Sequence, residues 1–469
     1  MGFDFGSLDN IDLGLSMNTA PKKSSESKKS ESKNGTRTIN INSNKKQKEE
    51  KTEVKVKSDN NLINKLSEKD INTRICNTII NLNIIKDELN AKFIERENEI
   101  EMLLLALISS SNAFLHGPAG TGKSLLTEEL SNRIINSNYF RILMSKTTEP
   151  AEVFGSVSIN AMKDDKYKVN TKGKLPTAHI AFTDECFKAN SAVLNSLLTI
   201  MNEKLFFNDT VEEVPLISLI GASNEFPEES ILDALYDRFL LRWTVNYIQD
   251  HNNRMNLFAN FLESRKRKSK LTNNEVAATS ASTVIELEDL LLVNEKCKEV
   301  DIPMKVLGAY NMLFIKLEKA GIIISDRRKN EALKVIQASA ILNNRTVATA
   351  EDLEPLKYVL WNDPKDLQTI IEEVNAIANP NLIKYEGFIK TFNTFKQELQ
   401  EIEDNKDSSD YEYDKSCKIT EINKQLNYVV SEIDKVLSHM DKSSKDFNKF
   451  NSLRNDISKY LQNLLKDLF

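Results

Sequence analysis

The chain has 469 residues, 40% of them apolar, which suffices for two or three domains with substantial cores. Its 63 basic and 69 acidic residues leave a net charge of −6, excluding a general affinity for nucleic acid or acidic surfaces, and no run of eighteen apolar residues is available to span a membrane. Four cysteines (Cys76, Cys186, Cys297, Cys417) and four histidines (His116, His179, His251, His439) lie far apart, in none of the spacings of zinc or redox motifs, as expected for a chain kept in a reducing cytoplasm.

The start, MGFDFGSLDN, lacks the basic opening and apolar block of a secretory signal, and Gly6 stands where N-myristoylation needs Ser or Thr. Residues 1–18 mix acidic and apolar side chains (Phe3, Asp4, Phe5, Leu8, Asp9), a pattern that fits either a docking motif or no role. Residues 19–60 hold twelve Lys and Arg against six Asp and Glu and almost nothing to bury, so 1–60 is expected to be a disordered tail. Helices follow over 62–109, ending in the apolar run 102–108. Strands are predicted at 112–116, 141–145, 178–184, 215–223 and 241–245, alternating with helices. One of these helices spans 123–136, with Leu126, Leu130 and Ile134 on one face; another carries Leu194, Leu197, Leu198 and Met201 at helical spacing. Alternation of this kind specifies an α/β fold with a parallel sheet covered by helices. Residues 250–360 read as mostly helical, interrupted by a polar loop from 264 to 282. The last hundred residues carry three apolar stripes: one through Phe388, Phe392, Phe395 and Leu399, one through Ile419, Ile422, Leu426 and Ile433, and one through Leu453, Ile457, Leu461 and Leu464. Such stripes predict a helical bundle or a coiled-coil arm.

One segment carries chemistry on its face. GPAGTGKS at 117–124 satisfies G-x-x-x-x-G-K-[ST], with a strand before it and an amphipathic helix after it. Gly117, Pro118, Ala119, Gly120, Thr121 and Gly122 would wrap ATP phosphates with backbone N–H groups, Lys123 would meet the β- and γ-phosphates, and Ser124 would ligate Mg²⁺. Sixty residues on, an apolar strand runs into Asp184 and Glu185. Asp184 is placed to hold Mg²⁺ and Glu185 to polarise the attacking water. Asn224, at the tip of the strand 215–223, is either a sensor of the γ-phosphate or a turn residue. Arg238, in DALYDRFLLR, is either an arginine finger or a surface Arg paired with Asp237 or Asp233.

These segments together resemble a known family. GPAGTGKS, EPAEVFG at 149–155, LPTAHIAFTDECFKANSAVLNSLLTIMNEKLF at 175–206, GASNEFPEES at 221–230 and ALYDRFLLR at 234–242 are similar to the MoxR branch of the AAA+ ATPases, nearest to its RavA-type subgroup. SDRRKNEALKVIQASAILNNRTVATAEDL at 325–353 and LKYVLWNDP at 356–364 extend the likeness, which covers about 85–375. The resemblance implies an AAA+ core at 61–248 with a helical lid at 249–365, before a C-terminal bundle at 366–469. It also implies a homohexameric ring with nucleotide between subunits, Arg238 as arginine finger, and Arg327 in the lid as second sensor, with Arg328 its rival. It further implies a partner bearing a von Willebrand factor A (vWA) domain and chaperone-like remodelling of a protein client. Ala119, Ser156 and the lack of a RavA-type β-rich insertion depart from the pattern.

Residues 156–178 alternate about an Asp-Asp and a Lys-Gly turn, predicting a hairpin that the resemblance would aim at a ring pore and that is otherwise a plain surface hairpin. Arg265, Lys266, Arg267 and Lys268 form a basic run, read as a solvated loop rather than a nucleic-acid contact. The competing functions are a nucleic-acid motor, for which little basic or aromatic patterning speaks, and an ATP-regulated scaffold with little turnover.

Overall fold

The computed structural model describes residues 68–466 other than 228–229, 271–281, 405–410, 439 and 441–444. The tail expected at 1–60, including residues 1–18 read as a docking motif or as having no role, and His439 lie outside the described residues.

Five strands form one sheet: β1 (Ala113–His116), β2 (Tyr139–Leu143), β3 (Ile180–Asp184), β4 (Ser218–Ser223) and β5 (Leu241–Thr244). Their order is β5-β1-β4-β3-β2, and every neighbouring pair is parallel. Each expected strand forms within a few residues of its sequence bounds. Both faces are covered, so alternate residues of one strand enter different cores. Ala113, Leu115, Ile180, Phe182 and Ile220 join the larger core, while Phe114, Ala181 and Leu219 join the other.

The larger core includes α1 (Glu68–Lys92) and α2 (Glu97–Ile108), whose apolar run 102–108 is wholly buried. Helix α3 (Lys123–Ser131) follows the phosphate loop and is shorter than the predicted 123–136. The β-branched pair Ile134–Ile135 instead forms a parallel ladder with Ile285–Glu286, and the Ile134 side chain still reaches the core from there. Helix α4 (Ser191–Glu203) buries Val193, Leu194, Leu197, Ile200 and Met201 in the second core, with Leu198 at its margin. The short α5 (Ser230–Asp237) precedes β5.

Helix α6 (His251–Lys270) continues through the point where a polar loop was predicted from 264. The Arg-Lys run is helical, since both residue types are good helix formers. The lid comprises α7 (Leu287–Lys298), α8 (Met304–Lys319) and α9 (Asp326–Leu342). α10 (Leu367–Ala378), which the sequence reading placed in the C-terminal bundle, buries Ile370, Val374 and Ala378 in the same core as the lid. α11 (Pro380–Asp404), α12 (Tyr411–Ser438) and α13 (Lys445–Lys466) then pack on one another through Phe392, Phe395, Ile422, Leu426, Ile457 and their neighbours, as a three-helix bundle with its own core.

Two buried arginines tie lid to sheet. Arg242 on β5 donates to the carbonyls of Phe239 and Tyr236 (2.9 and 2.7 Å), and to Trp361 O and Asn362 Oδ1 (3.1 and 2.5 Å). Its guanidinium carbon stands 3.7 Å from the Tyr236 ring centroid, and Trp361 Nε1 donates back to Arg242 O. Arg328 on α9 donates to the carbonyls of Leu240, Val359, Asp237 and Phe239.

Candidate nucleotide site

The carboxyl ends of parallel strands are where ligands bind in open α/β sheets. Register aligns three of those ends: Leu115 on β1 faces Ala222 on β4, and Asp184 on β3 faces the same Ala222. The loop 117–122, the pair Asp184-Glu185 and Asn224 therefore emerge side by side.

The loop keeps its shape for identifiable reasons. Gly117 N donates to Ser223 O at 3.0 Å, and a Cβ on Gly117 would lie 2.2 Å from Val245 O, so only glycine fits. Gly120 and Gly122 take φ of 82° and 86°, turning the chain so that α3 begins at Lys123 with its amino end facing the loop. Tyr247 Oη donates to Ala119 O at 3.2 Å, and Thr121 Oγ1 to Pro118 O at 3.0 Å. Beneath, the buried Arg96 donates from Nε to Thr121 O (3.3 Å) and from Nη2 to Asn246 O (2.8 Å), bracing the loop against α2.

Lys123 is buried, and its Nζ donates to Gly117 O at 2.6 Å and Pro118 O at 3.0 Å. Burial lowers its pKa, partly opposed by the charges of Asp184 and Glu185. Ser124 Oγ lies 3.4 Å from Asp184 Oδ2, which places the two expected magnesium ligands together. Glu185 holds a left-handed backbone (φ 52°), forms an ion pair with Lys188 Nζ at 3.2 Å and donates its N–H to Asp184 Oδ1 at 3.2 Å. Asn224 follows Ser223 directly, beside the strand that carries the loop, and is exposed. Among the described residues no group of three or more His, Cys, Asp and Glu could hold a metal by itself.

Two expected site residues are elsewhere. Arg238 and Arg327 line a cleft of about 180 Å³ with Ser110, Asn112, Lys204, Glu331 and Lys334. Asn112 immediately precedes β1 and its Nδ2 reaches Arg238 O at 3.4 Å. The cleft thus opens at the amino edge of the sheet, a strand length (about 13 Å for four residues) from the phosphate loop. Arg327, expected among the nucleotide-binding residues, is not brought to Lys123 of its own chain, because α9 packs at this far edge. Arg238 Nη1 and Arg327 Nη1 both lie against Asp237 Oδ2, at 3.1 and 3.2 Å, and Arg328 Nη2 is 3.5 Å from Oδ1. The pairing of Arg238 with Asp237 is present, yet its Nε is enclosed without a partner. Arg328 is 3% exposed and committed to carbonyls, whereas Arg327 is 51% exposed.

Sequence reading missed Arg96, Lys204 and Lys334. No spacing marks them; each acquires its place only when α2, α4 and α9 are packed.

Comparison with known proteins bears on the fold and the family. Residues 80–288 match the model of the MoxR domain in the MoxR-vWA-beta-propeller ternary systems, and 305–374 match an AAA lid domain. Two uncharacterized proteins of Methanocaldococcus jannaschii are similar to the chain. MJ0079 is 36% identical over 82% of this chain and 97% of its own length, and MJ0812 is 39% identical over 63% and 75%. A crystallised Cytophaga hutchinsonii protein described as a candidate ATPase shares the fold at a TM-score of 0.52 and 20% identity, covering 66% of this chain and 98% of that one. The phosphate loop and the acidic strand end lie within the first match and α9 within the second, and the chain belongs to the MoxR family of AAA+ ATPases.

Proposed function

We propose that the protein hydrolyses ATP at sites shared between neighbouring copies in a ring, and uses the cycle to remodel or assemble partner proteins. The observation that carries this reading is the separation of Arg238 and Arg327 from Lys123 across the sheet. Cations at one edge and a phosphate cradle at the other make half a site each, and two copies placed edge to edge make one whole site.

Within that site the loop N–H groups and the start of α3 bind the phosphates, and Lys123 exchanges the Gly117 and Pro118 carbonyls for phosphate oxygens. Ser124 and Asp184 would hold a Mg²⁺, which would neutralise charge on the phosphates. Glu185 orients the attacking water and accepts its proton, with Asn224 beside it. Arg238 and Arg327 of the adjoining copy stabilise the charge that builds on the transferred phosphoryl group.

Support for a protein client comes from the antiparallel pair Ser156–Val157 and Val169–Asn170, joined by the short helix Ile159–Lys163. Ile159, Met162 and Tyr167 there are 75, 60 and 63% exposed, an apolar tip suited to gripping a chain. The matched domain model, from systems that include a vWA protein, favours a vWA-bearing partner. A RavA-like placement within the family rests on the sequence motifs alone. No helix among the described residues is long and apolar enough to cross a membrane.

The test mixes Arg238→Ala with Lys123→Ala, each expected to be nearly inactive alone; loss of an arginine finger costs about 10³–10⁵ in rate. In mixed rings some interfaces pair an intact loop with an intact Arg238, so activity returns. Lack of recovery in rings shown to be mixed, or a near-normal rate for Arg238→Ala alone, overturns the shared site. ATPase activity strongly stimulated by DNA would favour a nucleic-acid motor instead.

A further inference from the structure

Lys204 stands at the carboxyl end of α4 in a left-handed conformation (φ 55°), held there by Lys204 N to Ile200 O (3.0 Å) and Val214 N to Lys204 O (2.7 Å). Its Nζ is enclosed and has no hydrogen-bond partner. An ammonium group carries three donors, and enclosing it unpaired opposes folding. Burial, with the nearby charge of Lys334, lowers its pKa to about 8. Nothing in the fold explains an amine in that position.

The surroundings supply a reason. Lys204 lines the same cleft as Arg238, Arg327 and Lys334. The acids at hand are Glu331, which pairs with Lys334, and Asp237, already shared by three arginines. Arg238 Nε is a second enclosed donor without a partner. The cleft therefore gathers cations from three separate elements, the end of α4, the turn before β5 and α9, with unfilled N–H donors on the first two. A polyanion with several oxygens, such as a terminal phosphate, would satisfy them together.

We propose that Lys204 acts in trans with Arg238 and Arg327, its ammonium binding the terminal phosphate of the nucleotide held by the neighbouring copy. The inference rests on the shared-site reading above and adds a catalytic residue to it. The chain's own phosphates bind at the opposite edge of the sheet, so the phosphate that reaches Lys204 belongs to another copy.

The experiment compares Lys204→Met and Lys204→Arg in the full chain. Lys204→Met should bind a fluorescent ATP analogue as the wild type does, because its own loop is intact. Its melting temperature should be unchanged or higher, because an unpaired buried cation is gone. Its kcat should fall about 10²-fold, the loss typical of one preorganised donor. Lys204→Arg should restore much of the rate. Mixing Lys204→Met with Lys123→Ala should recover activity, because about one interface in four of a randomly mixed ring joins an intact loop to an intact Lys204. A normal kcat for Lys204→Met overturns the proposal. So does failure of this mixture to recover while the Arg238→Ala mixture does, and that outcome leaves the shared site standing. Failure of both mixtures removes the shared site and this inference with it. Inorganic phosphate alone, protecting wild type but not Lys204→Met against heat and leaving the Lys204→Met rate normal, would identify the cleft as a free-phosphate site and refute the role in trans.

Discussion

Replacing Glu185 with Gln keeps the side chain's shape and removes its charge. Glu185→Gln should bind ATP and magnesium normally and hydrolyse almost none, whereas Lys123→Ala should lose binding itself; equilibrium binding beside turnover separates the two. A wild-type rate for the Gln variant would show that another group handles the water. Two residues before Glu185, Thr183 is wholly buried and its Oγ1 has no partner. An unsatisfied buried hydroxyl costs about 1–3 kcal/mol, so Thr183→Val should raise stability by about 1 kcal/mol. A urea midpoint that falls instead would mean the hydroxyl has a partner in solution. The loop motif and the acidic pair were legible because phosphate chemistry demands those residue types in adjacent positions. Lys204 was not, because a lysine after Met-Asn-Glu reads as an ordinary helix end until the far helix α9 is laid beside it.

Helix α2 carries a titration that reports on the loop. Glu99 is 4% exposed, and burial lifts its pKa to about 7, only partly offset by a hydrogen bond from its own backbone N–H and by Arg96, whose Nη1 lies 3.8 Å away. The unfolded value is 4.5, so the folded state holds the proton more tightly. The stability this lends is fully present below pH 4.5 and is lost as pH rises through about 7, a change of about 3 kcal/mol at most. Glu99→Gln should flatten that part of the urea-stability profile between pH 5 and 8; a profile as steep as that of the wild type would assign the slope elsewhere. The five strands were readable because runs buried on both faces are continuous and apolar. The end of α3 was not: Ile134 keeps helical spacing with Leu126 and Leu130, and only its ladder with Ile285, 151 residues away, makes it a strand. The start of the loop predicted over 264–282 was wrong for the opposite reason: polar residues that favour helices look like a loop when no apolar stripe accompanies them, and 264–270 are helical, while 271–281 lie outside the described residues.

Across the molecule, the lid and the sheet share a single hydrophobic core that also takes in α1, and Arg74 on α1 is paired with Asp289 on α7 at 2.6 Å. Trp361, fully buried and bonded to the Arg242 carbonyl, sits at the centre of this junction. Trp361→Ala should destabilise by about 3–5 kcal/mol, in the range for a buried aromatic truncated to Ala. The sheet and the lid should unfold together; calorimetry resolving a lid transition apart from the sheet would contradict the common core. Arg242 and Trp361 lie in motifs the sequence reading quoted, DALYDRFLLR and LKYVLWNDP, but their mutual bonding is a fact of packing alone. Welded in this way, lid and sheet make one lever with no internal hinge at their junction. Close-packed interiors transmit displacement rather than absorb it. Under the shared-site proposal, a phosphate arriving at Arg238 would then not be answered by a lid swinging on its own sheet. In the proposed ring the stroke would appear as one whole protomer rolling against the next, and any work on a client would be set by how far those bodies turn.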